Sequence, residues 1–262
     1  MRPIKARQLL AEGRTVLNGW SVIPGGFLAE VMCALGWDAL TIDAQHGIIG
    51  HADMVAMLQA ISTTATTPMV RLAGNDPIRI GQALDAGAMG LICPLINTAE
   101  EAAQFVAACR YPPHGVRSSG ATRAYFYAGL DYGTASDAQI LKFAMIETAD
   151  ALRNLDAIAA TPGLDGLYVG PSDLSLALGG PQGFDRDDPA LLDAYRDIAG
   201  ACRRHGLVAG IHTASPAFAE RMVKLGFRFI TLVGDMNFIM AARGTVQEAR
   251  AIVEAAPSTP SQ

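Results

Sequence analysis

The feature that most constrains this chain is an alternation. A short, almost wholly apolar run gives way to a turn and then to a segment of helical periodicity, and the unit recurs eight times in 262 residues. The apolar runs fall at 16–21, 39–43, 69–72, 90–93, 141–147, 166–169, 208–212 and 229–233. Strands apolar on both faces are those of a parallel sheet covered on both sides. The helical segments fall at 26–35, 52–63, 77–86, 99–109, 149–159, 189–205, 216–225 and 236–255. Asp76-Pro77 and Ser215-Pro216 set a capping side chain before a proline at the first helical position. Gly206 and Gly226 stand where a left-handed residue closes a helix.

Eight strand–helix units in this length predict a (β/α)8 barrel. The rival is a doubly wound open sheet, which usually carries a glycine-rich fingerprint after its first strand. The chain has neither that motif nor a P-loop. Residues 1–256 read as one barrel domain and 257–262 as a disordered tail. Two connections, 111–137 and 170–188, are long enough to serve as lids or subunit contacts.

Composition narrows the partners. Lys plus Arg is 20 against 25 for Asp plus Glu, a net charge of -5, without the basic stripe a nucleic-acid binder needs. No apolar run reaches the ~18 residues of a membrane span. The N-terminus carries no apolar leader, and the 4 cysteines form no CxxC pair, as in reduced proteins. A cytoplasmic enzyme or binding protein is expected, with no membrane and no nucleic acid among its partners.

In such a barrel the reacting groups sit at the C-terminal ends of the strands. Glu147 and Asp173 end consecutive runs, so they should be close neighbours. Two adjacent carboxylates repel unless a cation lies between them, and an oxygen-only donor pair suits Mg²⁺ or Mn²⁺. The plainer reading is two loop caps. Arg71 closes its run with a fork suited to a 2-oxo acid or an enolate oxygen, or else to a salt bridge with Asp43. His46 can move a proton near neutral pH if Asp43 or Asp85 orients it, and is otherwise an exposed loop histidine. The turn Gly170-Pro171-Ser172-Asp173 offers backbone N–H groups to an anion, or is simply a tight turn. Trp20 walls the pocket or fills the core, and His212 faces the mouth or packs at the core edge. Arg117 and Arg123 reach an anionic substrate or a neighbouring subunit, or lie on a solvated face.

One mechanism is excluded by counting. An imine-forming aldolase needs a lysine in the barrel, and Lys5, Lys142 and Lys224 are the only lysines. Lys142 lies five residues before Glu147, so strand alternation turns it to the opposite face.

An ordered set of motifs resembles the HpcH/HpaI aldolase family of metal-dependent class II pyruvate aldolases, from about Ala6 to Ala255. It comprises Gly36-Trp37-Asp38-Ala39-Leu40-Thr41-Ile42-Asp43-Ala44-Gln45-His46-Gly47, Val70-Arg71-Leu72 with Asp76-Pro77, and Leu84-Asp85-Ala86-Gly87. Met145-Ile146-Glu147-Thr148 and Tyr168-Val169-Gly170-Pro171-Ser172-Asp173-Leu174-Ser175 complete it. The resemblance implies a barrel of the phosphoenolpyruvate/pyruvate type, hexameric, with its eighth helix exchanged between subunits. It implies that Glu147 and Asp173 hold a divalent metal (Mg²⁺, Mn²⁺ or Co²⁺) and that a 2-oxo acid chelates it. Gly170, Pro171, Ser172 and Asp173 would receive the substrate carboxylate, and Arg71 the developing oxyanion. His46, paired with Asp43 or Asp85, would move the proton, while Trp20, His212 and Arg123 complete the substrate site. An aldehyde is the second substrate. Gln45 stands where many members carry glutamate, and Met145 where some carry glutamine, which alters polarity around the donor. The alternatives are an acyl-CoA lyase of the citrate-lyase β-like type and a non-catalytic barrel that binds 2-oxo acids.

Overall fold

The computed structural model describes residues 1–255. Strands β1 (Val16–Ser21), β2 (Ala39–Asp43), β3 (Thr67–Arg71) and β4 (Gly90–Cys93) form the first half of the sheet. Strands β5 (Leu141–Ile146), β6 (Gly166–Val169), β7 (Val208–Thr213) and β8 (Phe229–Gly234) form the second. All neighbours pair in parallel, and β8 closes on β1 to make a barrel in sequence order. The expected tail at 257–262 lies outside the described residues.

The outer layer starts with α1 (Lys5–Ala11), α2 (Gly26–Ala34), α3 (His51–Ile61), α4 (Pro77–Asp85) and α5 (Ala99–Cys109). It continues with α6 (Thr122–Ala128), α7 (Tyr132–Gln139), α8 (Ala149–Arg153), α9 (Leu155–Ala159) and α10 (Pro171–Ala177), and ends with α11 (Pro189–His205), α12 (Pro216–Leu225) and α13 (Asp235–Ala255). The caps behave as the sequence requires. Asp76 accepts from the Ile78 and Arg79 amides, Ser215 accepts from Phe218, and Gly206 and Gly226 are left-handed.

Four helices are additions to the sequence reading. The connection 111–137 holds α6 and most of α7, the turn at Gly170 opens α10, and α1 precedes the first strand. The helix expected at 149–159 breaks at Asn154, whose side chain donates to the Asn97 carbonyl at 2.8 Å.

Two apolar layers follow from strand alternation. One lies between strands and helices. The other fills the barrel with Met69, Phe143, Tyr168 and Phe229 and is stoppered below by Ala6 and Leu9 of α1. Lys142 does face away from that interior, its Nζ on the Ile140 carbonyl at 2.7 Å and Asp165 at 3.0 Å. Buried Asp235 ties the start of α13 to the turn after β1, accepting from the Ser21 hydroxyl at 2.7 Å and from the Val22 and Ile23 amides. Every other described residue of α13 is exposed or partly exposed.

Candidate functional site

Register assembles the site at the strand tops. Asp43 of β2 pairs directly with Arg71 of β3. The pairs Ile146↔Val169 and Val169↔Ile211 carry Glu147, Gly170 and His212 to one level of the rim. There a cavity of about 410 Å³ is lined by Trp20, His46, Arg71 and Met145, by the segment from Gly170 to Asp173, and by Gln182, Phe184 and His212.

Arg71 makes the expected salt bridge to Asp43 and also lines the cavity. Its Nε donates to Asp43 Oδ1 at 2.8 Å and its Nη2 to Asp43 Oδ2. Among the described residues Nη1 has no hydrogen-bond partner, so one nitrogen remains for a ligand. Trp20 lies under the guanidinium, 5.1 Å from ring centroid to Cζ, and donates Nε1–H to Asp43 at 3.2 Å. The amides of Gln45 and His46 complete the Asp43 shell at 3.0 and 3.1 Å. Burial would raise the Asp43 pKa, but Arg71 and the two amides outweigh it and hold the carboxyl below its ordinary value.

His46 is exposed at the cavity lip. Its pairing with Asp43 needs correcting within this chain: Asp43 takes the His46 backbone N–H, not its imidazole. Asp85 is not beside His46 either. It is the last residue of α4, a helix running back from the strand tops, and its carboxylate accepts from Arg117 at 2.7 Å. Arg117 is buried beneath Tyr111 and Tyr132 rather than solvated.

Arg123 is likewise not at the substrate cavity. Its guanidinium donates to the Ala86 carbonyl, the Leu58 carbonyl at 3.3 Å and the Ser62 hydroxyl at 3.0 Å. The two carbonyls belong to the closing turns of α3 and α4, where the helix dipole and unpaired C=O groups attract a cation.

Glu147 is buried, and its Oε1 accepts from the Leu95 amide at 2.9 Å. Burial raises its pKa, the Leu95 N–H and Arg71 oppose the rise, and the charge of Asp173 adds to it, with a net shift upward. Asp173 occupies the first turn of α10 and is exposed to the cavity. Gly170 is required between them: a Cβ there would lie 2.6 Å from Glu147 Oε2 and 2.6 Å from the Met145 methyl. The pair is thus an oxygen-only donor set, one member raised by burial and by its neighbour's charge, with the intervening space kept clear. That fits a hard divalent cation. Among the described residues no group of three or more His, Cys, Asp or Glu is placed to hold a metal.

His212 faces the mouth rather than the core edge. Its ring meets Trp20 edge-on at 4.9 Å and Phe184 at 4.7 Å. Burial first, and the Arg71 charge second, push its pKa down to about 3, so the imidazole is neutral near pH 7. Gln182 and Phe184 were not foreseen. Their signal was an amide and an aromatic side chain in the Gly-Pro-rich stretch Gly179-Gly180-Pro181-Gln182-Gly183-Phe184 of a connection already marked as long.

The model of the HpcH/HpaI aldolase/citrate lyase family matches residues 25–242. The chain belongs to that family. Both activities in the family's name break or make carbon–carbon bonds, so the barrel is that of a carbon–carbon lyase. The chain is 37% identical to the hydroxypyruvate/pyruvate aldolase of Rhizorhabdus wittichii over 95% of its own length and 99% of the relative's. It is 36% identical to the pyruvate aldolase of Rhizobium etli over 91% and 93%. A solved family member from Burkholderia cenocepacia superposes with a TM-score of 0.86 at 31% identity, covering 94% of this chain and 98% of that one.

Proposed function

We propose that this chain is a divalent-metal-dependent class II aldolase that reversibly joins a small 2-oxo acid, pyruvate or hydroxypyruvate, to an aldehyde. One observation carries the reading: a single cavity sets Asp173, with Glu147 behind it, against an arginine whose Nη1 is uncommitted. Glu147 and Asp173 would hold Mg²⁺, Mn²⁺ or Co²⁺, and the bound ion would supply Lewis-acid stabilisation of negative charge on the 2-oxo acid.

The chain's own residues do the rest. Arg71, fixed by Asp43, presents Nη1 to the C2 oxygen as C3 loses its proton, adding positive charge where negative charge develops. The first-turn amides of Ser172 and Asp173 take no intrahelical bond, which suits them to the substrate carboxylate. His46, at the lip, transfers the proton between C3, water and the aldehyde oxygen. Trp20 seals the site below and keeps the Asp43–Arg71 pair dry.

An acyl-CoA lyase would need several cations for the phosphates of its thioester. Arg71 is the only Lys or Arg among the lining residues, and two of its three nitrogens are taken by Asp43. The exposed Met236, Phe238, Ile239 and Met240 of α13 support a homo-oligomer, hexameric as in the family, in which this helix packs on a neighbouring copy. No described helix is long and apolar enough to cross a membrane, in keeping with the proposed cytoplasmic setting.

The test is turnover of the purified chain with Mg²⁺ or Mn²⁺, pyruvate and a panel of aldehydes, beside malyl-CoA and citramalyl-CoA. Metal-dependent formation of 4-hydroxy-2-oxo acids is expected. Thioester cleavage without aldol product would replace this reading with the lyase one. Binding of pyruvate without turnover of any substrate would leave a non-catalytic barrel.

A further inference from the structure

The donor side of the cavity accounts for β3, β5 and β6, which carry Arg71, Glu147 and the Gly170–Asp173 segment. The sector from β7 round to β1 is furnished differently, with His212, Trp20 and Phe184. The His212 ring is held between the other two rings at 4.9 and 4.7 Å. Among the described residues neither of its nitrogens makes a hydrogen bond within the chain, although both aromatic contacts fix its plane.

The connection that brings Phe184 there is itself tied down. The Ser175 hydroxyl donates to the Pro181 carbonyl at 2.7 Å. Asp185 adopts a left-handed backbone, φ 53°. Its Oδ1 accepts from the Ala214 amide at 2.7 Å, two residues beyond His212. Each tie joins the connection to the β6 or β7 side of the barrel mouth, and together they hold Phe184 over the His212 ring.

We propose that His212 is the specificity-determining residue for the acceptor, selecting uncharged aldehydes that carry a hydroxyl group beside the carbonyl. A neutral imidazole offers one N–H donor and one bare nitrogen. A hydroxyl, itself donor and acceptor, satisfies either nitrogen, whereas a methyl in its place would leave a partly buried ring without a partner. A carboxylate-bearing aldehyde is disfavoured for another reason. The one cation at this sector, Arg71 stacked on Trp20, is already given to Asp43 and the donor, and Asp173 follows the neighbouring strand β6 and adds negative charge. The hydroxyl read here is assigned to the acceptor because Arg71, Glu147 and the Gly170–Asp173 segment are already given to the donor. This inference rests on the aldolase reading.

The test fixes pyruvate as donor and compares kcat/KM for glycolaldehyde and for propionaldehyde, its near-isostere with methyl in place of hydroxyl. Glyoxylate serves as the anionic probe. The ratio is measured for the native chain, His212→Leu, His212→Gln and Asp185→Ala. His212→Leu is expected to lower the glycolaldehyde-to-propionaldehyde ratio roughly five- to tenfold, the worth of one hydrogen bond. His212→Gln, which keeps a donor and an acceptor, should restore most of it. Asp185→Ala, which releases Phe184, should lower it in the same direction without touching the ring. Glyoxylate should be the poorest acceptor of the native chain.

An unchanged ratio in His212→Leu, or an equal fall in His212→Gln, overturns the proposal. So does a change confined to the preference for hydroxypyruvate over pyruvate. Exchange of the pyruvate C3 protons in each variant separates this from failure of the underlying reading. Exchange with unaltered acceptor ratios refutes the His212 role alone. Absence of both exchange and aldol product in the native chain refutes the aldolase reading and this proposal with it.

Discussion

Asp43 and Arg71 are register partners on neighbouring strands, joined at two points in a buried ion pair that leaves one arginine nitrogen facing the cavity. The pair explains how a positive charge is held rigidly at a barrel mouth. Both oxygens of Asp43 are spoken for by Arg71, Trp20 and two backbone amides, so the fork cannot swing away. Arg71→Ala should lower kcat by about 100- to 1000-fold, the usual cost of losing an oxyanion donor. Arg71→Lys keeps the charge but not the fork and should recover only part of that loss. Asp43→Ala strands a buried cation and should cost about 3–5 kcal/mol of stability by urea denaturation.

Removing a metal ligand should separate folding from function. Glu147→Gln and Asp173→Asn should keep the native circular dichroism spectrum and lose Mn²⁺ binding by at least tenfold in calorimetric titration, with turnover falling in step. Chelation of the native protein should abolish turnover, and added Mg²⁺ or Mn²⁺ should restore it.

The pH dependence of metal binding follows from Glu147. Its folded pKa is raised, so the proton that a metal must displace is held at higher pH than in an ordinary glutamate. Mn²⁺ affinity should therefore weaken as pH falls through that raised value, by up to about tenfold per pH unit for one displaced proton. Asp43 has the opposite sign. Its folded pKa is depressed, so its contribution to stability is present above the unfolded value of about 3.9 and is lost as pH falls through the depressed one. Urea midpoints between pH 5 and pH 3 should drop more steeply for the native chain than for Asp43→Asn.

Gly170 is the position least able to accept a side chain. A Cβ would meet Glu147 Oε2 and the Met145 methyl, each at 2.6 Å. The methyl belongs to a flexible side chain and can move, whereas displacing the Glu147 carboxylate disturbs the metal site. Gly170→Ala should thus cost more in metal affinity than in thermal stability, checked by titration and melting of one preparation.

Arg123 should behave in the reverse way. It closes the ends of α3 and α4 far from the cavity. Arg123→Ala should lower stability by about 1–3 kcal/mol and leave kcat/KM within about twofold.

The barrel was legible in the sequence because its strands are buried on both faces and read as unbroken apolar runs. Five of the strand boundaries that matter most to the site, at Trp20, Asp43, Arg71, Glu147 and His212, were read to within a residue or two. Alternation then placed Lys142 outside and Glu147 inside without any coordinates. The long connections were less legible. The segment Thr122-Arg123-Ala124-Tyr125-Phe126-Tyr127-Ala128 forms a helix that packs against α4 and α7, and no cap announces it. Arg123 was therefore read as a candidate substrate contact when it caps two helices. Within this chain Asp85 sits beside Arg117 rather than His46, because a motif gives order along the chain, not the side of the helix layer on which a residue ends. Phe184 escaped notice because its place depends on Asp185 reaching Ala214, a contact 29 residues apart in sequence.

The most direct test of the account is proton exchange at C3 of the 2-oxo acid. Pyruvate and, separately, hydroxypyruvate would be followed by proton NMR in D₂O with the purified protein, with Mg²⁺ and again after exhaustive chelation. The account predicts metal-dependent loss of the C3 proton signal with no aldehyde present, abolished in Glu147→Gln and sharply slowed in Arg71→Ala. Exchange that persists after chelation, or at an unchanged rate in Glu147→Gln, would contradict it.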